Sequence, residues 1–196
     1  GYTNAPPQFD ILGEDLCKQG FNVLVPRLPY HGLKDPLTTE QSKLTAEAMA
    51  ALAQETVDIA RGLGKRVTIA GLSGGGVMAA WAAQFRGDVD HAVVIGPAFG
   101  LPFPPAWVSG LFRWAILHLP NFFIWWDPRV KEKIVGPPYA YPRFSTHGLA
   151  EIFRLGRLVY DTSANMPARA TRLKSTPCLL ITSDPSDALP CVDPGG

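Results

Sequence analysis

The feature that most constrains the fold is a short glycine turn, Gly71 to Gly75, with the sequence G-L-S-G-G. The run before it, Val67 to Ala70, is typical of a buried strand, and the run after it, Val77 to Ala83, is typical of a helix. A G-x-S-x-G turn in that context holds its serine in a strained backbone with the hydroxyl exposed. Its flanking residues must be small because side chains there would collide with the strand and the helix. The pattern therefore predicts a sharp strand-turn-helix unit and makes Ser73 the best catalytic candidate.

Strands and helices alternate along the rest of the chain. The predicted strands are continuous apolar runs, which is the pattern of strands in a parallel sheet covered by helices on both faces. In such sheets the ligand site lies at the carboxyl ends of the strands. We predict helices over about residues 7–19, 44–63 and 74–85, and strands over 21–25, 65–70, 91–95 and 178–182. The expected buried face of the second helix consists of Leu44, Ala48, Leu52, Thr56, Ile59 and Leu63.

Length and composition narrow the functional classes. A chain of 196 residues with 46% hydrophobic and 18% charged residues is long enough for one substantial core. Its net charge of +1, without a lysine or arginine run, argues against a nucleic-acid partner. Cys17, Cys178 and Cys191 are too few and too widely spaced for a disulfide framework or a zinc site. Reduced thiols favour a cytoplasmic protein but leave its location unknown, and the oligomeric state is equally open.

The segment between Phe99 and Phe144 differs from the rest because it holds more than half of the aromatic residues. Its most apolar part, residues 111–126, is interrupted by Arg113 and Pro120 and is shorter than the roughly 20 residues of a membrane span. We therefore expect no transmembrane segment. The segment is expected to be a cap whose aromatic residues pack onto the body of the domain or line an apolar pocket. The predicted division is a core over 1–98, a cap over 99–160 and the rest of the core over 161–196.

Three motifs together resemble the α/β-hydrolase superfamily, in particular its monoglyceride-lipase-like and carboxylesterase-like serine hydrolases. Gly1 to Asn4 is similar to the end of the family's His-Gly-aromatic loop, Arg27 to Gly32 is similar to its Pro-Gly-His-Gly turn, and Gly71 to Gly75 is similar to its serine turn. The resemblance implies an α/β-hydrolase fold with a cap, and hydrolysis of a small apolar ester through an acyl-enzyme. It implies no metal and no organic cofactor.

The same resemblance implies a role for several residues. Ser73 would be the nucleophile, and the backbone N-H groups of Gly74 and Tyr2 would form the oxyanion hole. The alternative for Tyr2 is a surface aromatic residue at a chain end. Asp187 would be the orienting acid because its Asp-x-apolar-Pro setting matches the family's loop, while Asp184 remains the alternative. Either aspartate is otherwise an ordinary solvated turn residue.

The base departs from the family pattern. The family order is serine, acid, histidine, yet no histidine follows Asp187. The four histidines are His31, His91, His118 and His147, all earlier in the chain. We expect a serine hydrolase cut at both ends, with its base encoded beyond Gly196 and with little turnover by these residues alone. The alternatives are an inactive protein of this fold that binds an apolar ligand or partner, and a peptidase or thioesterase.

Overall fold

The computed structural model of the chain describes residues 2–100, 111, 114–130, 137 and 139–176. Its helices are α1 (Asp10–Lys18), α2 (Ala46–Leu63), α3 (Gly74–Phe85) and α4 (Thr146–Ser163). Its strands are β1 (Thr68–Leu72), β2 (His91–Ile95), β3 (Phe123–Trp125), β4 (Arg143–Ser145) and β5 (Arg172–Thr176). Short 3-10 turns lie at Pro6–Phe9, Glu40–Lys43 and Pro128–Val130.

The main sheet of the described region is parallel, in the order β1-β2-β5. In its register Thr68 pairs with His91 and Leu72 pairs with Ile95, while Ile95 in turn pairs with Thr176. All three strands therefore end at the same edge of the sheet, which is where ligand sites of such sheets lie. The parallel sheet and its flanking helices confirm the predicted α/β class.

Helix α3 is the centre of the packing. It lies against β1 and β2, and both α2 and α4 pack against it. Its buried positions include Ala79, Ala80, Ala82 and Ala83, whose small side chains let the neighbouring elements approach closely. Larger residues fill the space around the helix, and they include Val77, Met49, Val94, Ile152 and Leu155. Each such apolar side chain contributes roughly 1.5 to 3 kcal/mol when it leaves water, so α3 is fixed firmly behind the strand ends.

Helix α2 has the predicted position but a different buried face. Its N-terminus is capped by the Thr45 hydroxyl, which accepts from the Ala48 amide, and its chain leaves the helix at Gly64. The expected face was only partly right: Leu44, just before the helix, is buried, whereas Ile59 and Leu63 are exposed. The buried residues are Ala46, Met49, Ala53 and Val57. This stripe lies one residue around the helix from the predicted one, and its alanines allow a close approach to the alanines of α3.

Two strand predictions need correction. Residues 21–25 do not form a strand: they are irregular, with Phe21 exposed. A strand needs a neighbour for its ladder, whereas here the Asn22 side chain donates to the Leu63 carbonyl at the end of α2. Strand β5 was missed because Arg172 to Thr176 carries little apolar signal. The predicted strand at 178–182 lies outside the described residues.

A small antiparallel sheet, β3 with β4, precedes α4. The Arg143 guanidinium lies over the ring of Phe123 at 4.4 Å and near that of Trp125 at 5.7 Å. The pair leads directly into α4, whose N-terminus is capped by the hydroxyl of Ser145. These elements fall in the segment assigned to the cap, and the boundaries at 98 and 160 stay a prediction.

Candidate active site

Ser73 lies between the end of β1 and the start of α3 in a strained conformation. Its φ of 56° and ψ of −117° are unusual for a residue with a side chain and cost on the order of 1 to 3 kcal/mol. Hydrogen bonds hold it there: its amide donates to the Ile95 carbonyl at 2.9 Å, and its own carbonyl accepts from Val77 at 3.1 Å. Local contacts thus impose the backbone strain that the sequence motif predicts.

The glycines around Ser73 differ in how much space there is for a side chain. A Cβ on Gly71 would overlap the carbonyl group of Gly75 and lie 2.8 Å from the Gly76 amide nitrogen. A Cβ on Gly76 would lie 3.1 Å from the Ile95 carbonyl oxygen, a tight contact. At Gly75 a Cβ would meet nothing within 4 Å. The expected collision of an added side chain is therefore confirmed at Gly71, and its expectation at Gly75 was wrong. Gly76, which lies outside the motif, is a helix position where an added Cβ would be tightly packed.

The Ser73 hydroxyl makes no hydrogen bond to the residues that the structure describes. Ser73 precedes the first turn of α3, where serine hydroxyls commonly cap the helix, but its hydroxyl makes no capping hydrogen bond. The free amides of the first helical turn carry partial positive charge. Gly74, the first residue of α3, is buried beside Ser73. The arrangement places a hydroxyl next to backbone N-H donors, which is what attack on a carbonyl requires.

Tyr2 lies beside this turn. Its side chain is only 6% exposed, so the interpretation of Tyr2 as a surface aromatic residue was wrong. Built onto Gly74, a Cβ would lie 3.4 Å from the Tyr2 Cβ and 3.2 Å from the Ile152 Cδ1. The Tyr2 hydroxyl donates to the Ser145 carbonyl at 3.1 Å, and burial raises the pKa of this phenol. The structure thus brings Ser73, Gly74 and Tyr2 together.

His31 is buried next to Tyr2. Its Nε2 lies 2.6 Å from the Tyr2 carbonyl oxygen, and its Nδ1 lies 2.8 Å from that of Pro29. The turn that holds it has positive φ at Tyr30 (65°) and Gly32 (66°). Burial lowers the pKa of His31, so the neutral ring is favoured. The neutral ring has a single N-H, so it donates to one of these two carbonyl oxygens, and within the described residues His31 contacts the chain at Tyr2 and Pro29, not Ser73.

The other three histidines contact backbone groups or lie away from the strand ends in the described residues. His91 begins β2, about 13 Å along the strand from the edge where β1 ends, at about 3.3 Å per residue. His118 Nδ1 and His147 Nε2 each lie 2.8 Å from a backbone carbonyl oxygen, of Trp114 and Leu119 respectively. Within the described ranges, no hydrogen bond links a histidine ring to Ser73. Both acid candidates, Asp187 and Asp184, lie outside the described residues, so their assignment stays a prediction.

The described residues hold no group of three or more His, Cys, Asp or Glu side chains arranged to bind a metal ion. Among the helices that the structure describes, none combines the length and apolarity that a membrane crossing needs.

Comparison with known families decides the assignment. The model of the Alpha/beta hydrolase family matches residues 2–194, almost the whole chain. The chain belongs to the alpha/beta hydrolase family. This confirms the resemblance drawn from the three sequence motifs. Comparison with curated proteins gives no match.

Two solved structures show the same fold. One comes from a study of LipS and LipT, two metagenome-derived lipolytic enzymes, with 20% identity, a TM-score of 0.62, and coverage of 83% of this chain and 63% of that one. The other is the monoacylglycerol lipase of Paleococcus ferrophilus, with 18% identity, a TM-score of 0.62, and coverage of 89% and 70%. The chain of this alpha/beta hydrolase thus spans less than two thirds of the first structure's length. At these identities the likeness shows the fold alone.

Sequence reasoning missed the residues that hold Tyr2. Ser145 could have been found as a helix N-cap, because a Ser-Thr pair directly precedes the helical run over 149–159. Its contact with Tyr2 joins residues 143 positions apart, and no local pattern records such a contact. Tyr141 is a similar case: its amide donates to the Thr3 carbonyl at 2.8 Å. Both contacts became visible only in the folded chain.

Proposed function

We propose that this alpha/beta hydrolase is a serine hydrolase that cleaves carboxylic esters with an apolar group, through an acyl-enzyme on Ser73. The observation that carries the proposal is the backbone of Ser73, with φ 56° and ψ −117°, between β1 and α3. A non-glycine residue keeps such a conformation only when its surroundings impose it, and such residues cluster at active sites. Its hydroxyl makes no capping hydrogen bond in the described part of the chain, and the amide of Gly74 follows it directly.

The proposed chemistry has two displacement steps. The Ser73 oxygen attacks the ester carbonyl carbon while a histidine base takes its proton, and the bond to the alcohol then breaks as the alcohol leaves with that proton. Water attacks the acyl-enzyme in the second step and releases the acid. The amides of Gly74 and Tyr2 stabilise the oxyanion in both steps. Asp187 orients the base, which the family order expects after it in the chain.

An apolar ester suits the aromatic segment. Trp114, Phe122 and Trp126 in this segment are each more than half exposed, so large apolar surfaces lie at the protein's exterior. A charged substrate group would lose its hydration against such surfaces at a considerable cost. The two structural neighbours, one a monoacylglycerol lipase and one from a study of lipolytic enzymes, support the same substrate class. A small-molecule ester is therefore the proposed substrate.

A fluorophosphonate probe tests the nucleophile. We expect the full-length protein to be labelled at Ser73 and to hydrolyse p-nitrophenyl esters of apolar acids, and we expect Ser73→Ala to abolish both. Ser163→Ala is the matched control, because its hydroxyl only donates to the Tyr160 carbonyl at the exposed end of α4. Labelling that persists in Ser73→Ala would exclude Ser73 as the nucleophile.

The same protein separates the alternatives. Faster cleavage of matched amides or thioesters than of the ester would favour a peptidase or a thioesterase. If Ser73 is not labelled, and a fatty acid raises the melting temperature equally in wild type and Ser73→Ala, the protein is an inactive binder of apolar ligands.

A further inference from the structure

The loop that carries Tyr2 is held from two sides. From one side, His31 contacts the Tyr2 carbonyl through its Nε2 at 2.6 Å, and the Tyr141 amide donates to the Thr3 carbonyl at 2.8 Å. From the other side, α4 receives the Tyr2 side chain, whose hydroxyl donates to Ser145. The loop position therefore depends on α4, which is remote in sequence.

Gly148, in the first turn of α4, provides the space for the Tyr2 ring. A Cβ at Gly148 would overlap the phenol oxygen of Tyr2 and lie 2.9 Å from its Cζ. It would also lie 2.8 Å from the Gln41 carbonyl oxygen. Gly148 does not have the positive φ that favours glycine. Glycine is therefore needed there because Tyr2 and Gln41 approach so closely.

Among the described residues, Tyr2 has close neighbours on its other sides as well. Its Cβ lies against Gly74, and the ring of His31 lies 5.5 Å from its own ring centroid. Tyr2 belongs to the same buried cluster as Met49, Val77 and Ile152. A side chain at Gly148 would push Tyr2 away from α4 and against this cluster, so the displacement would reach the backbone of residue 2.

We propose that Gly148 is a positioning residue, which seats Tyr2 against α4 so that the Tyr2 backbone amide stays beside Gly74 in the oxyanion hole. The inference rests on the proposed function, because it assigns a role within the same site. Its consequence is that α4, the helix that begins in the cap segment, sets the geometry of the oxyanion hole. A shift of about 1 Å at a catalytic donor lowers the rate by on the order of a hundredfold.

The test compares two glycines of the same helix, in the full-length protein with an apolar p-nitrophenyl ester. Gly148→Ala should lower kcat about 10- to 100-fold with little change in KM, since the oxyanion hole acts mainly on the transition state. Gly156→Ala is the control. A Cβ at Gly156 would lie 2.8 Å from the Phe99 Cα, so it disturbs α4 packing without touching Tyr2. This control should lower the melting temperature, and it should lower kcat clearly less than Gly148→Ala does, because it displaces Phe99 and leaves the space for the Tyr2 ring unchanged.

A double variant separates positioning from general damage. Tyr2→Phe removes the phenol oxygen that an alanine at 148 would overlap, so Gly148→Ala with Tyr2→Phe should recover part of the lost kcat. Equal kcat in Gly148→Ala and Gly156→Ala, or no recovery in the double variant, would overturn the inference. If Gly148→Ala does not fold, Tyr2→Ala decides: loss of the ring that Gly148 accommodates should lower kcat at constant KM, and an unchanged kcat overturns the inference.

The outcome is distinguishable from a failure of the proposed function. A wild-type protein that is active and labelled at Ser73, with kcat unaffected by Gly148→Ala, would remove the positioning role and keep the hydrolase. A wild-type protein that is neither labelled nor active would overturn both.

Discussion

The two sides of the candidate site are built in different ways. On the nucleophile side, most of the described residues that shape the turn lie between Gly71 and Val77, with Ile95, Pro97 and Ala98 added from the neighbouring strand and its following loop. On the oxyanion side, Tyr2 is held by His31, Ser145 and Gly148, which lie up to 146 positions away in the chain. The nucleophile side is therefore a local structure, and the oxyanion side is a product of tertiary packing. Substitutions on the two sides should fail differently.

The largest effect is expected on the nucleophile side, at Gly71. Gly71→Ala places a Cβ on the backbone of Gly75, which cannot move without displacing the start of α3. We expect a loss of 3 kcal/mol or more in the free energy of unfolding, the range reached by severe overpacking. Urea unfolding followed by circular dichroism measures it.

Gly75→Ala is the matched control within the same turn. Because its Cβ would meet nothing within 4 Å, we expect stability equal to wild type or higher by up to about 1 kcal/mol, the helix-propensity difference between alanine and glycine. Equal losses in Gly71→Ala and Gly75→Ala would contradict the close contact at Gly71.

A smaller loss of stability is expected on the oxyanion side, at Ser145, the N-cap residue of α4. Ser145 is fully buried, its hydroxyl accepts from the Gly148 amide at 3.1 Å, and it donates to Asn121 Oδ1 at 2.7 Å. Ser145→Ala removes both bonds and should cost about 2 kcal/mol in the free energy of unfolding, the upper part of the range for N-caps. The proposed esterase activity should fall with it because the Tyr2 side chain packs against the start of α4.

Thr45→Ala provides the comparison, since Thr45 caps α2 through a single bond to Ala48 at 3.1 Å and is itself exposed. We expect Thr45→Ala to lower the free energy of unfolding by about 1 kcal/mol and to leave kcat unchanged. A larger loss of unfolding free energy in Thr45→Ala than in Ser145→Ala would contradict the importance of the Ser145 N-cap for the oxyanion side.

The smallest effect concerns pH, through His31. Burial lowers the pKa of His31 in the folded protein below the ordinary histidine value of about 6.5. Between these two pKa values the unfolded chain binds more protons than the folded one, so stability rises with pH and is lost as pH falls below about 6.5. One such group changes the free energy of unfolding by at most about 1.4 kcal/mol per pH unit.

Thermal unfolding at pH 5 to 8.5 measures this dependence. His31→Gln should be less stable than wild type at pH 8, because it loses the buried ring, and its stability should fall less steeply below pH 6.5. The difference between the two proteins should be constant from pH 7.5 to 8.5, where both are neutral at position 31. A steeper fall in His31→Gln would contradict a neutral buried His31.

Sequence patterns predicted the elements with strong local signals. The limits of α3 and β2 agree with the predicted ranges. An apolar run bounded by glycine or proline can be recognised in the sequence without knowing which elements pack against it. The buried face of α2, the missing strand at 21–25 and the unpredicted β5 were wrong for one reason. Burial and strand pairing depend on which partner is present, and the partner is not recorded in the local sequence.

The sequence by itself determined the serine turn, since the order strand, G-x-S-x-G, helix leaves the backbone little choice, and this was enough to indicate the family. Only the tertiary structure decided that Tyr2 is buried beside Gly74, that His31 braces it, and that Gly71 and Gly76 are the tight glycines while Gly75 is not. The physical reason is the range of the interactions. The turn at Ser73 is shaped mostly by residues within a few positions, with hydrogen bonds added from Ile95 and Ala98, whereas the place of Tyr2 is fixed by groups from distant parts of the chain.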